Sequence, residues 1–417
     1  MMNGRSGRGI LVGSQLAILG SALLLALFGI LLIYSAATGS RFTSITNHHL
    51  RQLLWLAIGV VAMGGAVAIP FTLYEGIRAY VGWGVSIVLV ALVLVIGETS
   101  LGAQRWLSLG GIRFQPSEIA KLTTVIALAY YLSRRRRDVM NVRSLLVPCA
   151  LVVVPMLLIL KQPDLGTAIA FPFVLIAMLY WAGLPLSYLA LLISPVVSLV
   201  AAFSALTWGL FAIAFVATLS WSLNRYRLRW GPVIALCLIN LVVGVATPQI
   251  WGSMKPYQRE RITAFMNPGH DRFGSGYQII QSEIAIGSGG LLGQGYLQGT
   301  QKNFQFLPEK HTDFVFSVAG EEFGFAGGLA ILGLYFILFS GIITIARSAR
   351  SRFASLIAFG VGAPLFFHVV INVAMTMGLA PVTGLPLPLV SYGGTALVVN
   401  LVGLGLVLGI GLRRHEY

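Results

Sequence analysis

Acidic side chains are scarce in this chain: 13 Asp and Glu stand among 417 residues, against 28 Lys and Arg. Charge of either sign makes up 10% of the sequence, where a soluble domain carries about 25%. Hydrophobic residues make up 57%. A water-soluble fold is excluded on that count, and the chain reads as a polytopic membrane protein. Cysteine is nearly absent as well. Cys149 and Cys237 both fall inside apolar runs, so neither a disulfide framework nor a C-x-x-C metal or redox motif is available. Repeats of fixed period and low-complexity linkers are also missing, which removes solenoids and tethered modules.

What is present is a succession of apolar runs of roughly 20 residues, the length that crosses a bilayer. They fall at 14–36, 50–70, 79–97, 117–133, 145–161, 166–182, 186–203, 206–222, 231–248, 314–345, 353–377 and 389–411, which predicts twelve helices. The first run, of about 22 residues behind Arg5 and Arg8, exceeds the 7–15 residues of a cleavable signal's apolar core. It is read as a retained first span. With the N-terminus inside, the inside segments hold Arg78, the run Arg134 to Arg137, Arg143, the trio Arg225, Arg227 and Arg229, then Arg347, Arg350, Arg352, Arg413 and Arg414. Of the 13 acids only Glu75, Asp138 and Glu416 lie on that side. This is the positive-inside pattern. A net charge of +15 spread through short inter-span loops marks topology and leaves no basic face for nucleic acid.

One segment between spans, residues 249–312, is far longer than an ordinary connection, and such segments usually carry function. Its first part, Lys255-Pro256-Tyr257-Gln258-Arg259-Glu260-Arg261, is basic. Its middle, Gly287-Ser288-Gly289-Gly290-Leu291-Leu292-Gly293-Gln294-Gly295, lacks the Gly-Lys-Ser/Thr ending of a phosphate loop, and its glycines miss the dinucleotide fingerprint by one position. A tight re-entrant turn needing positive φ is the reading it supports.

Ionisable residues collect at the outer ends of several spans. Arg51 starts span two, Arg105 and Arg113 follow span three, and Glu118 and Lys121 are three apart on span four. Lys161 and Asp164 flank the turn between spans five and six, while Lys310 and Asp313 lead into span ten. Lys and Arg at helix ends often only snorkel to the interface, and Glu118–Lys121 also fits a structural i,i+3 pair. Neither accounts for carboxylates at matching depth. An ionised carboxylate at the bilayer centre costs roughly 2.5–3.5 kcal/mol, so such groups face a cavity, a partner or a substrate. Mixed acids and cations opening outward suit an anionic substrate and a proton transfer.

Six separated motifs carry a family resemblance: Gln104-Arg105-Trp106-Leu107-Ser108-Leu109-Gly110, residues 115–121 (Gln-Pro-Ser-Glu-Ile-Ala-Lys), residues 162–167 (Gln-Pro-Asp-Leu-Gly-Thr), residues 287–300, Phe306 to Asp313, and residues 384–394. In this order they resemble the SEDS (shape, elongation, division, sporulation) family of cell-wall polymerases, nearly end to end. Leu307-Pro308-Glu309-Lys310-His311-Thr312-Asp313-Phe314 with Pro388-Leu389-Val390-Ser391 is similar to the RodA-like, elongation branch rather than the FtsW-like, division branch. The resemblance implies an all-α polytopic bundle forming one integral membrane domain over 1–417. It has about 12 transmembrane helices, a family core of ten plus an extra pair within 183–230, and the large extracytoplasmic loop 249–312.

The resemblance further implies a peptidoglycan glycosyltransferase that joins lipid II disaccharide units on the outer face of the cytoplasmic membrane and releases undecaprenyl pyrophosphate. A class B penicillin-binding protein would be its partner. By analogy Asp313 is the essential carboxylate, read as general base. Arg51, Arg105, Lys121 and Lys310 would hold the pyrophosphate, with Thr312 and Ser391 also lining the substrate site. Glu118 and Asp164 remain either orienting acids or ligands of a divalent cation, Mg or Mn. His368, alone in span eleven, reads as a buried hydrogen-bonding residue. The competing readings are a lipid II flippase, which would place ionisable groups near mid-membrane between broken helices, and a non-catalytic scaffold.

Overall fold

The computed structural model describes residues 4–38, 47–100, 103–109, 112–135, 142–226, 230–253, 275–300 and 311–413. Among them every apolar run expected to cross is helical: α1 (Gly4–Thr38), α2 (His48–Ala68), α3 (Ile77–Ile96), α4 (Pro116–Arg134), α5 (Val142–Lys161), α6 (Leu165–Trp181), α7 (Leu186–Ala201), α8 (Ala205–Tyr226) and α9 (Trp230–Ser253). A shorter α10 (Ser275–Gly289) lies within the long segment, followed by α11 (Val315–Ser348), α12 (Arg352–Thr376) and α13 (Gly394–Leu412). Eight of these, α1, α2, α3, α5, α8, α11, α12 and α13, are long and apolar enough to span a membrane. The chain is therefore an integral membrane protein. With 17 and 16 residues, α6 and α7 reach about 24–26 Å, a few Å short of the ~30 Å hydrocarbon layer.

Burial ranks the helices. Two-thirds of the spanning stretch of α12 and of α13 is buried, against 11% for α8. The centre is built from α4, α12 and α13, with α1, α2, α6 and α11 packed around it in one continuous core. Close approach of α2 to α13 depends on small residues: a Cβ on Gly405 would lie 2.5 Å from the Met63 carbonyl oxygen, and one on Gly409 3.2 Å from that of Val67. Without a hydrophobic gain between helices in lipid, such backbone proximity supplies the packing. The spacing Gly405-x-x-x-Gly409 is thus an interface and not a chance recurrence. The expected extra pair, α7 and α8, packs with α9 around a separate cluster of Leu191, Leu219 and Val233. A polar network joins the three: Asn240 donates to Ser194 at 2.9 Å, the Ser198 hydroxyl to the Asn240 carbonyl at 3.1 Å, and Trp208 to Ser198 at 3.2 Å.

The helical bundle is as expected, with one addition in a connection: after α3 the chain forms a three-stranded antiparallel sheet of β1 (Glu98–Ser100), β2 (Ala103–Leu109) and β3 (Ile112–Phe114). Its alternating Gln-Arg-Trp-Leu-Ser-Leu run pairs Leu107 with Phe114 and Ser108 with Arg113, a period-two pattern short enough to hide between spans. One expectation is corrected: the last span begins at Gly394 and not at 389. Pro386 and Pro388 withhold backbone donors, and Leu389 sits at φ 68. Residues 379–393 are therefore an irregular strap, packed in the core through Leu387, Leu389 and Val390.

The glycine-rich turn after α10 does take positive φ, at Gly290 (54°), Gly293 (83°) and Gly295 (105°), and it answers a break in α11. Gly324 leaves helical geometry at φ 64, ψ −159, which strands the carbonyls of Glu321 and Glu322 and the N–H groups of Phe325 and Ala326. The turn takes over all four. Gln294 and Gly295 donate to Glu321 and Glu322 at 3.0 and 3.1 Å, while Phe325 and Ala326 donate to Gly290 and Leu291 at 2.9 and 3.0 Å. Irregular backbone at membrane depth survives only when protein satisfies it in this way.

Candidate functional site

The site lies at the end of the bundle that carries the β-sheet, and each wall follows from a local sequence device. Gln115 and Pro116 start α4, Pro in the first turn costing no hydrogen bond. That start turns Glu118 and Lys121 inward together. Their Oε1 and Nζ atoms are 2.8 Å apart, and both side chains are buried. Lys121 Nζ also lies 3.2 Å from Nε2 of His368 on α12, whose ring hydrogen-bonds the Pro386 backbone as well. An ammonium can only donate, so Nε2 accepts and the imidazole is neutral in this geometry. His368 is the buried hydrogen-bonding residue expected, but it is a member of the site. An empty space of about 410 Å³ opens beside this trio, walled by Leu122, Val125, Pro364 and Asn400. A second of about 280 Å³ shares Glu118, His368, Pro388 and Asn400 and extends to Ser391 and Gly393. One cleft with a charged end and an apolar wall results.

Asp313 stands one residue before the cap of α11, half-buried, where the helix N-terminus favours a negative charge. Its carboxylate is beside the strap: a Cβ on Gly384 would lie 3.4 Å from Oδ2. Asn372 Nδ2 donates to the Asp313 carbonyl at 2.8 Å and to that of Leu385 at 2.7 Å. Asn372 and His368 are four residues apart on α12, about 6 Å along its axis. Asp313 is thereby set about one turn beyond the Lys121–His368 contact. The strap closes on residues 311–313 through Tyr392 N–H to the His311 carbonyl at 3.0 Å and the Ser391 hydroxyl to the Thr312 carbonyl at 2.5 Å.

Several residues expected at the substrate site also make structural bonds. Ser391 is buried, and its hydroxyl donates to Thr312 while accepting from Leu387 N–H at 2.9 Å. It shapes the strap while also lining the second space of the cleft, and Thr312 supplies its carbonyl to that bond. Asp164 caps α6, accepting from Thr167 N–H at 3.3 Å and its hydroxyl at 2.9 Å, and from Gln115 at 3.3 Å. Arg105 lies 3.7 Å from the same carboxylate and donates to the Pro163 carbonyl at 2.8 Å. That pair pins the sheet to the α5–α6 turn. Arg51 is exposed on the first turn of α2, and Lys310 lies outside the described residues. As metal ligands, Glu118 is committed to Lys121 and Asp164 to its cap. No group of three or more His, Cys, Asp or Glu among the described residues is arranged to hold an ion, so the donor set does not fit a resident divalent cation.

Residue types alone passed over the amides Gln52 and Asn372, both buried, and Asn400. The signal was there: a lone amide in an apolar run must find partners inside the protein or pay for desolvation. Glu321 and Glu322 were also underread. Both are 1% exposed, Glu322 accepting from Ser35 at 2.5 Å and Glu321 from Thr300 at 3.2 Å.

Comparison with known proteins adds to this geometry. The family model described as "Cell cycle protein", covering FtsW, RodA and SpoVE, matches residues 15–220 and 205–416. The chain is 38% identical over 367 residues to "Peptidoglycan glycosyltransferase MrdB" of Escherichia coli strain K12, covering 87% of this chain and 85% of that protein. It is 33% identical over 419 residues to "Peptidoglycan glycosyltransferase RodA" of Treponema pallidum strain Nichols, covering 94% and 96%. A solved chain from the work described as "Structural coordination of polymerization and crosslinking by a peptidoglycan synthase complex" superposes with a TM-score of 0.72 at 33% identity, covering 96% and 98%.

Proposed function

The chain belongs to the FtsW/RodA/SpoVE family, and from that premise we propose how its site works. It is a peptidoglycan glycosyltransferase. Asp313 takes the proton from a sugar hydroxyl of the acceptor lipid II. The freed oxygen bonds to the anomeric carbon of the donor. The bond from that carbon to pyrophosphate breaks, and undecaprenyl pyrophosphate leaves with the electron pair. The leaving group is already an acidic phosphate and needs no general acid. Lys121, fixed between Glu118 and His368, supplies preorganised positive charge in a water-poor cleft, where it is worth most. Arg51 and Lys310 are the further cations proposed for the pyrophosphate. No step is routed through a metal.

The observation that carries the base assignment is the construction around Asp313: a half-buried carboxylate at a helix start, its backbone held by Asn372 and its neighbours by the strap. Asp313→Asn keeps the shape and removes the basicity. Polymerisation of labelled lipid II by the purified protein should fall by at least about 100-fold, the usual scale of general base catalysis. A polymer yield near wild type would sink the assignment. The flippase reading would claim the break at Gly324 with its buried glutamates, but the turn at residues 290–295 fills that break with backbone and leaves no pathway there.

The cellular setting is part of the same proposal. The arginine-rich end faces the cytoplasm and the site opens on the outer face of the cytoplasmic membrane, in keeping with the charge distribution. The motif at residues 307–314 supports the elongation branch over the division branch. The likeness to a chain of a peptidoglycan synthase complex supports a class B penicillin-binding protein as partner.

A further inference from the structure

We propose that Gln52 of α2 is a positioning residue for glycosyl transfer, acting on Asp313 through Ser391; this rests on the reading of Asp313 as base. Gln52 is 1% exposed, yet its neighbours Arg51, Leu53 and Leu54 are exposed. Its amide is the polar point of α2 turned into the bundle. Both ends of that amide are used. Nε2 donates to the Ser391 carbonyl at 3.1 Å, and Oε1 accepts from Gly393 N–H at 3.2 Å. The two bonds bracket Tyr392 and fix the turn that ends the strap. From there one covalent step leads to the Ser391 hydroxyl, which donates to the Thr312 carbonyl, and Thr312 is bonded directly to Asp313.

One turn outward on the same helix, His48 stacks on His311 with ring centroids 4.9 Å apart and meets Tyr392 edge-on at 4.8 Å. Here α2 touches the two chain segments that the Ser391 hydroxyl ties together. On the opposite side Asn372 holds the Asp313 carbonyl to Leu385. The base is thus carried on backbone gripped by one amide from α2 and one from α12. Neither amide touches the reacting atoms. A displacement of about 1 Å at a reacting group can cost about 100-fold in rate, so a two-bond grip on the supporting turn is enough to govern turnover.

The test uses the full-length protein and labelled lipid II, measuring kcat, KM and thermal stability for Gln52→Met, Gln52→Glu, Ser391→Ala and the Gln52→Met/Ser391→Ala double variant. Gln52→Met keeps length and removes both bonds. Gln52→Glu keeps the acceptor for Gly393 N–H and loses the donor to Ser391. Both should lower kcat by about 10-fold or more with KM within about 3-fold. The double variant should be no slower than the slower single one, because both break the same chain of contacts. Should Gln52→Met fail to fold, Gln52→Glu decides. A kcat within about 2-fold of wild type in the folded variant, or losses that multiply in the double variant, overturns the proposal. Asp313→Asn is measured alongside. If it stays active, the base assignment falls and this proposal with it; if it is inactive while Gln52→Met turns over normally, only the positioning role falls.

Discussion

At the residue scale the buried trio of Glu118, Lys121 and His368 decides between a structural pair and a working one. An i,i+3 pair on an exposed face contributes a few tenths of a kcal/mol. This pair is buried, with Oε1 and Nζ 2.8 Å apart, and it lines the cleft. Breaking one partner leaves a buried charge, which costs about 3–5 kcal/mol. Glu118→Ala and Lys121→Ala should therefore each lower glycan polymerisation about as much as the double substitution does. Losses in rate that multiply in the double variant would show two residues working independently. The sequence carried this pair, Asp313 and the strap motif, because charge in an apolar chain is conspicuous. It did not show the bonds that Asp164, Arg105 and Ser391 make to Gln115, Pro163 and Thr312, which lie far from them in the chain. A capping carboxylate and a catalytic one look alike until the fold brings their partners in.

At the element scale the informative piece is α11, which the apolar run at 314–345 presents as one unbroken helix. It is two half-helices, and the outer one begins just after Asp313. The turn at residues 290–295 replaces the missing helix bonds at Gly324, and at Gly293 no side chain fits. A Cβ on Gly293 would lie 2.1 Å from the Glu322 carbonyl oxygen, at a φ of 83 that L residues avoid. Gly293→Ala should cost at least about 2 kcal/mol from strain and lost backbone bonds together, read as a fall in thermal stability of the purified protein. Gly287→Ala, at an exposed helical position with open space around the missing Cβ, should be neutral or slightly stabilising, since Ala favours helix over Gly by about 0.5–1 kcal/mol. Equal midpoints for the two variants would mean that the turn does not hold the break. Hydropathy shows the length of α11 but not this break, because the compensating groups lie some thirty residues earlier in the chain. The turn's need for positive φ was legible from its glycines. Its docking site was not.

On the scale of the whole molecule, α7, α8 and α9 are joined by their own small cluster and polar network, while Leu189 of α7 reaches the main core. The family match is made in two stretches, residues 15–220 and 205–416, that meet in the same region. Whether α7 crosses fully is the sensitive point, since about 24 Å of helix is short for a ~30 Å layer. A mismatch of that size costs only fractions of a kcal/mol per Å and is absorbed by local thinning. If only one of α7 and α8 crossed, the basic cluster after α8 would lie outside, against the positive-inside pattern. In a version carrying Cys149→Ser and Cys237→Ser, Asn224→Cys at the exposed end of α8 should react with an impermeant thiol reagent only after the membrane is opened. Ser108→Cys, exposed on β2, should react in intact cells. Labelling of Asn224→Cys in intact cells would mean that only one of α7 and α8 crosses. The arginines would then have to be reassigned, and with them the side on which the site at Asp313 opens.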